Sequence, residues 1–410
     1  MTTITQNNTA DVVVVGGGMA GLAGAMAMRE NGATVTLLER AAEFGEVGAG
    51  LQMAPNATRL LRRWGLLDKV LERGVAPKQI VFRDAITGTA LLRQDLQGEF
   101  EKRYGAPYIV IHRSDLHSIL LEACRESGVT LLNNVNVERV ETTDSGARVH
   151  TSDGTTYDAG LVLGADGLKS KLREKVTPAS DQPINSAYVA YRGVSTIDEA
   201  IEGTEVDNVT VWFGPNCHLV TYPLRAGELF NTVAVFKSET FEAGEPEFGG
   251  VDELHAAYAN CVPQVQESLK NLWQGIRWPM FDREPIDNWI DGRTLLIGDA
   301  AHPMLQYLAQ GACQALEDAA VLQDLSVGTV FTDGGVKASE WDAVAERFVA
   351  ERSPRTARVQ RTARVWGESW HVGGLPQLLR NMLFQAAEGN TFRYTDWVYA
   401  DNAESAPASA

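Results

Sequence analysis

Three short runs of consecutive apolar residues, at 12–15, 161–163 and 295–297, each run straight into a glycine. Unbroken runs of this length mark strands buried on both faces. Between the first run and a fourth at 35–38 stand Gly16, Gly18 and Gly21, spaced G-x-G-x-x-G, then Ala- and Met-rich helical sequence closed by Gly32. Further helices are expected near 57–64, from Ser114 as N-cap to Gly128, over 169–175, 252–272 and 311–325. Most of the chain from there to 397 also reads as helix, with Trp366 and Trp370 on a packing face. Residues 81–92, 108–111, 129–140 and 147–151 read as strands. From 186 to 236 the pattern changes: Tyr, Val, Thr and Trp recur with a period of two between turn residues, which predicts antiparallel strands. Alternation there places His218, Val220 and Tyr222 on one face.

The chain has 410 residues, 44% of them apolar, enough for two joined domains around a large core. A net charge of −17 argues against a nucleic-acid partner, which needs clustered Lys and Arg. Cys124, Cys217, Cys261 and Cys313 form no C-x-x-C pair and read as reduced thiols of a cytoplasmic protein. The first ten residues are polar and uncharged, unlike a signal peptide, and no apolar run approaches a membrane span. His112 and His117 do not share a helical face and no carboxylate joins them, so no metal site is expected. The tail from Ala400 reads as frayed.

The glycine cluster carries the first chemistry. Gly16 suits a strand-to-helix turn, Gly18 admits a pyrophosphate to the backbone, and Gly21 lets helix pack on strand. The helix N-terminus offers free N–H groups to phosphates. Glu39 is placed to accept from a ribose hydroxyl, and Arg40 beside it is a further cofactor-binding candidate. Asp299 follows the third apolar run; a carboxylate there suits a sugar or ribityl hydroxyl rather than a phosphate. The helix near Gly311 aims its positive end where a reduced flavin gains negative charge, which favours FAD over NAD as the resident cofactor. Residues 46–53 put two glycines in a loop that either moves against a ligand or turns a corner.

Taken together, Gly16-x-Gly18-x-x-Gly21 with Glu39, Gly164-Ala-Asp166-Gly167, and Gly298-Asp299-Ala-Ala-His302-Pro303 resemble the three signatures of the single-component FAD-dependent aromatic hydroxylases. Salicylate and para-hydroxybenzoate hydroxylases belong to that family. The resemblance implies that Glu39 binds the adenosine ribose, Arg113 contacts FAD, Asp166 serves FAD and nicotinamide, Asp299 holds the ribityl chain, and the Gly48–Gly50 loop flanks the flavin ring. The stretch from Met304 to Asp318, with residues 82–87, 280–285 and 394–397, is similar to the 3-hydroxybenzoate 6-hydroxylases. Those enzymes convert 3-hydroxybenzoate to gentisate (2,5-dihydroxybenzoate) with NADH and dioxygen.

The fold implied is α/β: a Rossmann-type FAD-binding domain from 1–80, 100–180 and 285–365, an inserted antiparallel substrate sheet from 81–99 and 185–280, and a helical C-terminal region over 366–410. A homodimer is implied as well. His218 is the candidate base for a phenolic proton, and Tyr222 and Gln306 are candidates to orient the ring. Taken alone, His218 reads rather as a hydrogen-bonded sheet histidine, while Tyr222 reads equally as core and Gln306 equally as a turn cap. No arginine is placed by the sequence for a substrate carboxylate. A salicylate- or hydroxynicotinate-type hydroxylase, or an FAD-dependent oxidoreductase that inserts no oxygen, stand as alternatives.

Overall fold

The structure, a computed structural model, describes residues 8–45, 48, 50–177, 181–332, 335–387 and 391–400. The apolar runs of the sequence become neighbouring parallel strands within one eight-stranded sheet whose other three strands pair antiparallel. Thr294–Leu296, Thr156–Gly164, Thr9–Val15, Val35–Leu38 and Thr130–Leu132 lie side by side in that order. Val12, Val13, Val14, Leu163, Leu295 and Leu296 are fully buried in this sheet among the helices around it. Two of those helices, Met19–Glu30 and Gly311–Ser326, pack on each other.

A second sheet of seven strands runs Trp278–Asp282, Ile184–Thr196, Leu229–Lys237, Cys217–Leu224, Val209–Gly214, Gln79–Asp84, Ala90–Asp95. Its pairs are antiparallel except Val209–Gly214 beside Gln79–Asp84. Alternation divides its side chains between two cores. Val220, Tyr222, Val233 and Val235 pack toward the parallel sheet's core, while Cys217, Leu219, Ala234 and Phe236 form a second cluster with Tyr258 and Val265.

Several local expectations shift, each for a visible reason. The run at 81–92 is a hairpin, Gln79–Asp84 and Ala90–Asp95, whose turn Asp84 organises by accepting from Ile86 and Thr87 N–H. The helix expected from Ser114 is Arg113–Ser127, capped by His112, whose Nδ1 accepts from Ser114 N–H at 3.3 Å. Only Arg173–Val176 of the expected 169–175 helix forms, because Asp166 holds the preceding residues in a turn. The 252–272 region is broken into Val251–Tyr258 and Pro263–Ser268, the second restarted by its proline. Helix Trp341–Trp370 runs unbroken through the 365/366 boundary suggested by the sequence, and Trp370 is buried on it. The tail beyond Ala400 lies outside the described residues.

Candidate functional site

The glycine fingerprint forms the turn its spacing predicts. Gly16 has φ 109°, and a Cβ there would overlap the Ala165 carbonyl. A Cβ on Gly21 would overlap the Gly16 carbonyl, so helix and strand approach as only glycine permits. Gly18 caps helix Met19–Glu30 without a side-chain cap, and the first turn holds no acid. The helix end is therefore left open for an anion. Glu39 braces the turn: its Oε2 accepts from Gly17 N–H at 2.6 Å and its Oε1 from Ala41 N–H at 2.8 Å. His117 Nε2 pins the Gly17 carbonyl at 2.8 Å, a support the sequence did not reveal. Arg40 is exposed next to Glu39. These features fit the pyrophosphate and ribose of FAD.

At the third strand end, Gly298 and Asp299 open a helical turn, with Asp299 exposed. The turn is held from below. Asp318, fully buried, accepts from Gly298 N–H at 2.8 Å, pairs with His302 Nε2 at 2.6 Å and receives Arg352 Nε at 2.8 Å. Burial alone would raise the Asp318 carboxyl; His302 and Arg352 overcome that and hold it at about 2. Arg352 also reaches Glu317, which binds Arg355 and accepts from Asn56 Nδ2. Helix Gly311–Ser326 has no acid in its first turn, and a Cβ on Gly311 would meet nothing within 4 Å, so there is room for a ring over its positive end. Asp166 is turned inward, accepting from Ser170 Oγ at 2.5 Å and Lys171 N–H at 2.9 Å. Its carboxylate shapes its own turn.

The seven-stranded sheet forms the facing wall. Register places Ala190, Val235 and His218 on one rung, Arg192, Val233 and Val220 on the next, and Val194, Asn231 and Tyr222 on a third. All nine point to the same face. His218 is buried, and its Nδ1 lies 2.8 Å from Nε2 of His371, the residue after helix Trp341–Trp370. Tyr188 stacks on His371 at 4.3 Å between ring centroids. Burial lowers both imidazoles, His218 well below its ordinary value and His371 to about 3. Desolvation therefore favours the neutral form of His218 and makes it an intrinsically weak base.

Tyr222 is buried with its ring against Gly50, where any side chain would overlap it. Burial raises its phenol, with Arg192 partly opposing the shift. Gln306 begins a short turn, Gln306–Leu308, and its Oε1 accepts from Arg192 Nη2 at 3.0 Å. The structure thus brings His218, Tyr222 and Gln306 to one wall and adds Arg192, Asn231 and His371, which sequence reasoning missed. Only Arg192 left a legible signal, a charge among the apolar and aromatic residues of strand Ile184–Thr196. Arg113 begins helix Arg113–Ser127, its Cδ 3.4 Å from where a Gly48 Cβ would stand. Residues 46–47 and 49 of the expected flavin-flanking loop lie outside the described residues. Among the described residues, no group of three or more His, Cys, Asp or Glu could hold a metal ion.

This arrangement has known counterparts. Residues 9–326 match the family model described as FAD binding domain. The chain is 36% identical over 402 residues to 3-hydroxybenzoate 6-hydroxylase of Polaromonas naphthalenivorans, covering 97% of this chain and 98% of the relative. It is also 36% identical over 408 residues to a 3-amino-4-hydroxybenzoate 2-monooxygenase of Streptomyces platensis, covering 98% of each. Among solved structures, Klebsiella pneumoniae HpxO complexed with FAD and uric acid matches with TM-score 0.81 and 25% identity, over 94% of this chain and 95% of that one. Fingerprint, strand ends and facing sheet are the parts of a flavin-dependent ring hydroxylase, with FAD resident and NADH as co-substrate, and the chain belongs to the FAD-dependent aromatic monooxygenase family.

Proposed function

We propose that this enzyme hydroxylates a hydroxybenzoate para to its phenolic oxygen, with 3-hydroxybenzoate as substrate and gentisate as product. The observation that carries the reading is the polar wall of His218, Tyr222, Gln306 and Arg192 facing the cofactor-binding strand ends. The names of the Polaromonas relative and its homologues supply the substrate.

The bound flavin supplies electrons from NADH and activated oxygen. Gly16, Gly18 and Gly21 receive its pyrophosphate, Glu39 and Arg40 its adenosine end, and Asp299 its ribityl chain. Arg113 and Asp166 border the same cleft. His218 takes the phenolic proton at Nε2, its Nδ1 being engaged by His371. Removing that proton makes the ring electron-rich ortho and para to the oxygen. The adjacent phenolate then stabilises the imidazolium, which offsets the weak basicity imposed by burial. Tyr222 and Gln306 set the ring's angle so that the para carbon faces the flavin. Water is kept out by Val220, Val233, Val235 and Ala190, all buried.

The test is product analysis. Supplied with 3-hydroxybenzoate, NADH and oxygen-18 dioxygen, the enzyme should form gentisate carrying one labelled oxygen. NADH consumption without labelled product sinks the reading. The identity shared with the 3-amino-4-hydroxybenzoate enzyme favours a second candidate, and that acid belongs in the same assay.

The domain division at 1–80, 100–180 and 285–365 against 81–99 and 185–280, with a helical region from 366, belongs to the same proposal. So does a cytoplasmic location, in keeping with four free cysteines; no helix among the described residues is long and apolar enough to cross a membrane. The assembly proposed is a homodimer built on helix Leu375–Ala386. Leu375, Leu378, Leu379, Met382 and Leu383 each stand more than half exposed along one face, while Gln377 and Asn381 on another tie the helix to Asp84 at 2.8 Å. An uncharged stripe at i, i+3, i+4, i+7, i+8 spacing suits the same stripe of a second copy. Leu379→Glu with Met382→Glu should halve the mass measured by light scattering; an unchanged mass rules the interface out.

A further inference from the structure

The buried Arg173, Arg283, Arg352 and Arg380 each have a carboxylate beside them, and the half-buried Arg192 does not. Arg173 and Arg283 share Asp181, Arg352 sits between Glu317 and Asp318, and Arg380 lies 3.4 Å from Asp84. A cation withdrawn from water needs such a counter-charge, because desolvation otherwise outweighs what its contacts return. Arg192 has none among the described residues. Its Nη2 donates to the neutral Gln306 at 3.0 Å, its guanidinium lies 5.7 Å from the Trp278 ring centroid, and its Nε is buried with no acceptor. Burial pushes its guanidinium below the ordinary value, and Arg113 adds to that shift while Tyr222 partly opposes it.

Asn231 repeats the pattern on the neighbouring strand. The Gly50 N–H donates to Asn231 Oδ1 at 3.0 Å, which turns Nδ2 the other way, and Nδ2 is buried without an acceptor. Arg192 opposes Val233 and Asn231 opposes Val194, so the two are diagonal neighbours on one face, about 7–8 Å apart. Two orphaned donors on one face, one of them cationic, are the complement of a carboxylate. The surface between them and His218 is apolar, made by Val233, Val220 and Val235, and suits an aromatic ring.

We infer that Arg192 Nε and Asn231 Nδ2 form a carboxylate-binding subsite that holds an aromatic acid across Val233 with its phenolic edge toward His218. The inference rests on the proposed function for the ring's identity, and on the orphaned donors for its charge.

The holoenzyme is titrated with 3-hydroxybenzoate and with its neutral isostere 3-hydroxybenzamide, following the flavin absorbance change. The parent should prefer the acid by about tenfold to a hundredfold, the range of a hydrogen bond to a charged group. Arg192→Gln should weaken the acid by that factor and leave the amide within about threefold. Asn231→Asp keeps the acceptor for Gly50 N–H but gives Arg192 an internal counter-ion. It should also abolish the preference, and its melting temperature should rise. That second variant keeps the test decisive if Arg192→Gln does not fold. An undiminished preference for the acid in either variant overturns the subsite, as does a parent that binds acid and amide equally. Product analysis separates the two readings. Loss of preference in a protein whose parent makes no gentisate condemns the substrate assignment alone. Parental gentisate formation by Arg192→Gln condemns the subsite alone.

Discussion

Two clusters of polar side chains, one beneath the third strand end and one on the sheet wall, differ in how complete they are. Beneath the third strand end, Asp318, Glu317, His302, Arg352 and Arg355 satisfy one another, with contacts of 2.5–2.8 Å. On the sheet wall, Arg192 and Asn231 keep unanswered donors, and His218 and His371 are neutral because burial will not tolerate their charge. A closed network rigidifies a backbone, here the Gly298 turn beside Asp299. An open one is stable only as part of a larger set that the substrate completes. The proposed division of roles, one wall positioning and the other binding, rests on this difference.

Breaking the closed network should have the largest effect. Arg352→Met leaves Glu317 and Asp318 buried without their shared cation, which typically costs about 3–5 kcal/mol. The melting temperature should drop sharply and flavin retention with it. Arg192→Gln, removing an uncompensated charge, should melt at or above the parent. If the two variants melt alike, the contrast between the clusters is wrong.

A second measurement addresses chemistry on the open wall. His218→Asn retains a polar side chain and removes the base. General-base assistance is typically worth about 10²–10⁴-fold. Water entering the opened wall can replace part of it, so gentisate formation should slow by at least about tenfold. NADH oxidation should continue, with electrons appearing as hydrogen peroxide, so the ratio of gentisate to NADH is the readout. A His218→Asn enzyme with the parental ratio and rate leaves His218 a structural histidine.

The smallest effect is a difference in pH windows. His218 and His371 stay neutral when folded, while the unfolded chain takes up protons near the ordinary 6.5. Their contribution is complete above that value and is lost as pH falls from about 6.5 toward about 3. Asp318, held at about 2, contributes above its ordinary 3.8 and is lost only below it. His371→Gln should therefore flatten the stability profile between pH 6.5 and 4 and leave its more acidic part unchanged. Melting temperature against pH tests this; an unaltered slope in that interval contradicts the assigned windows.

How much of this was legible follows from how local each signal is. The G-x-G-x-x-G turn is set within six residues, since Gly16 needs a positive φ and Gly21 a bare Cα, so the sequence reads directly as a binding turn. Three apolar runs entering glycines predict three parallel strand ends for the same reason. Strict period-two alternation put His218, Val220 and Tyr222 on one face, where they are found. Helix limits were less legible, because Asp166 and His112 redirect the backbone with single side-chain hydrogen bonds that leave no periodic trace.

What the sequence alone determined is the cofactor wall and the family, because both reside in short motifs whose chemistry is complete in themselves. Only the tertiary structure decided which charges are answered. Arg352 meets Asp318 across 34 positions, whereas Arg192 reaches Gln306 across 114 and His218 meets His371 across 153. The packing of a helix end and two strands against one cleft sets these pairings, and it decides that one arginine has an acid beside it while another does not. A charge's partner is a matter of distance in space, and distance along the chain does not encode it.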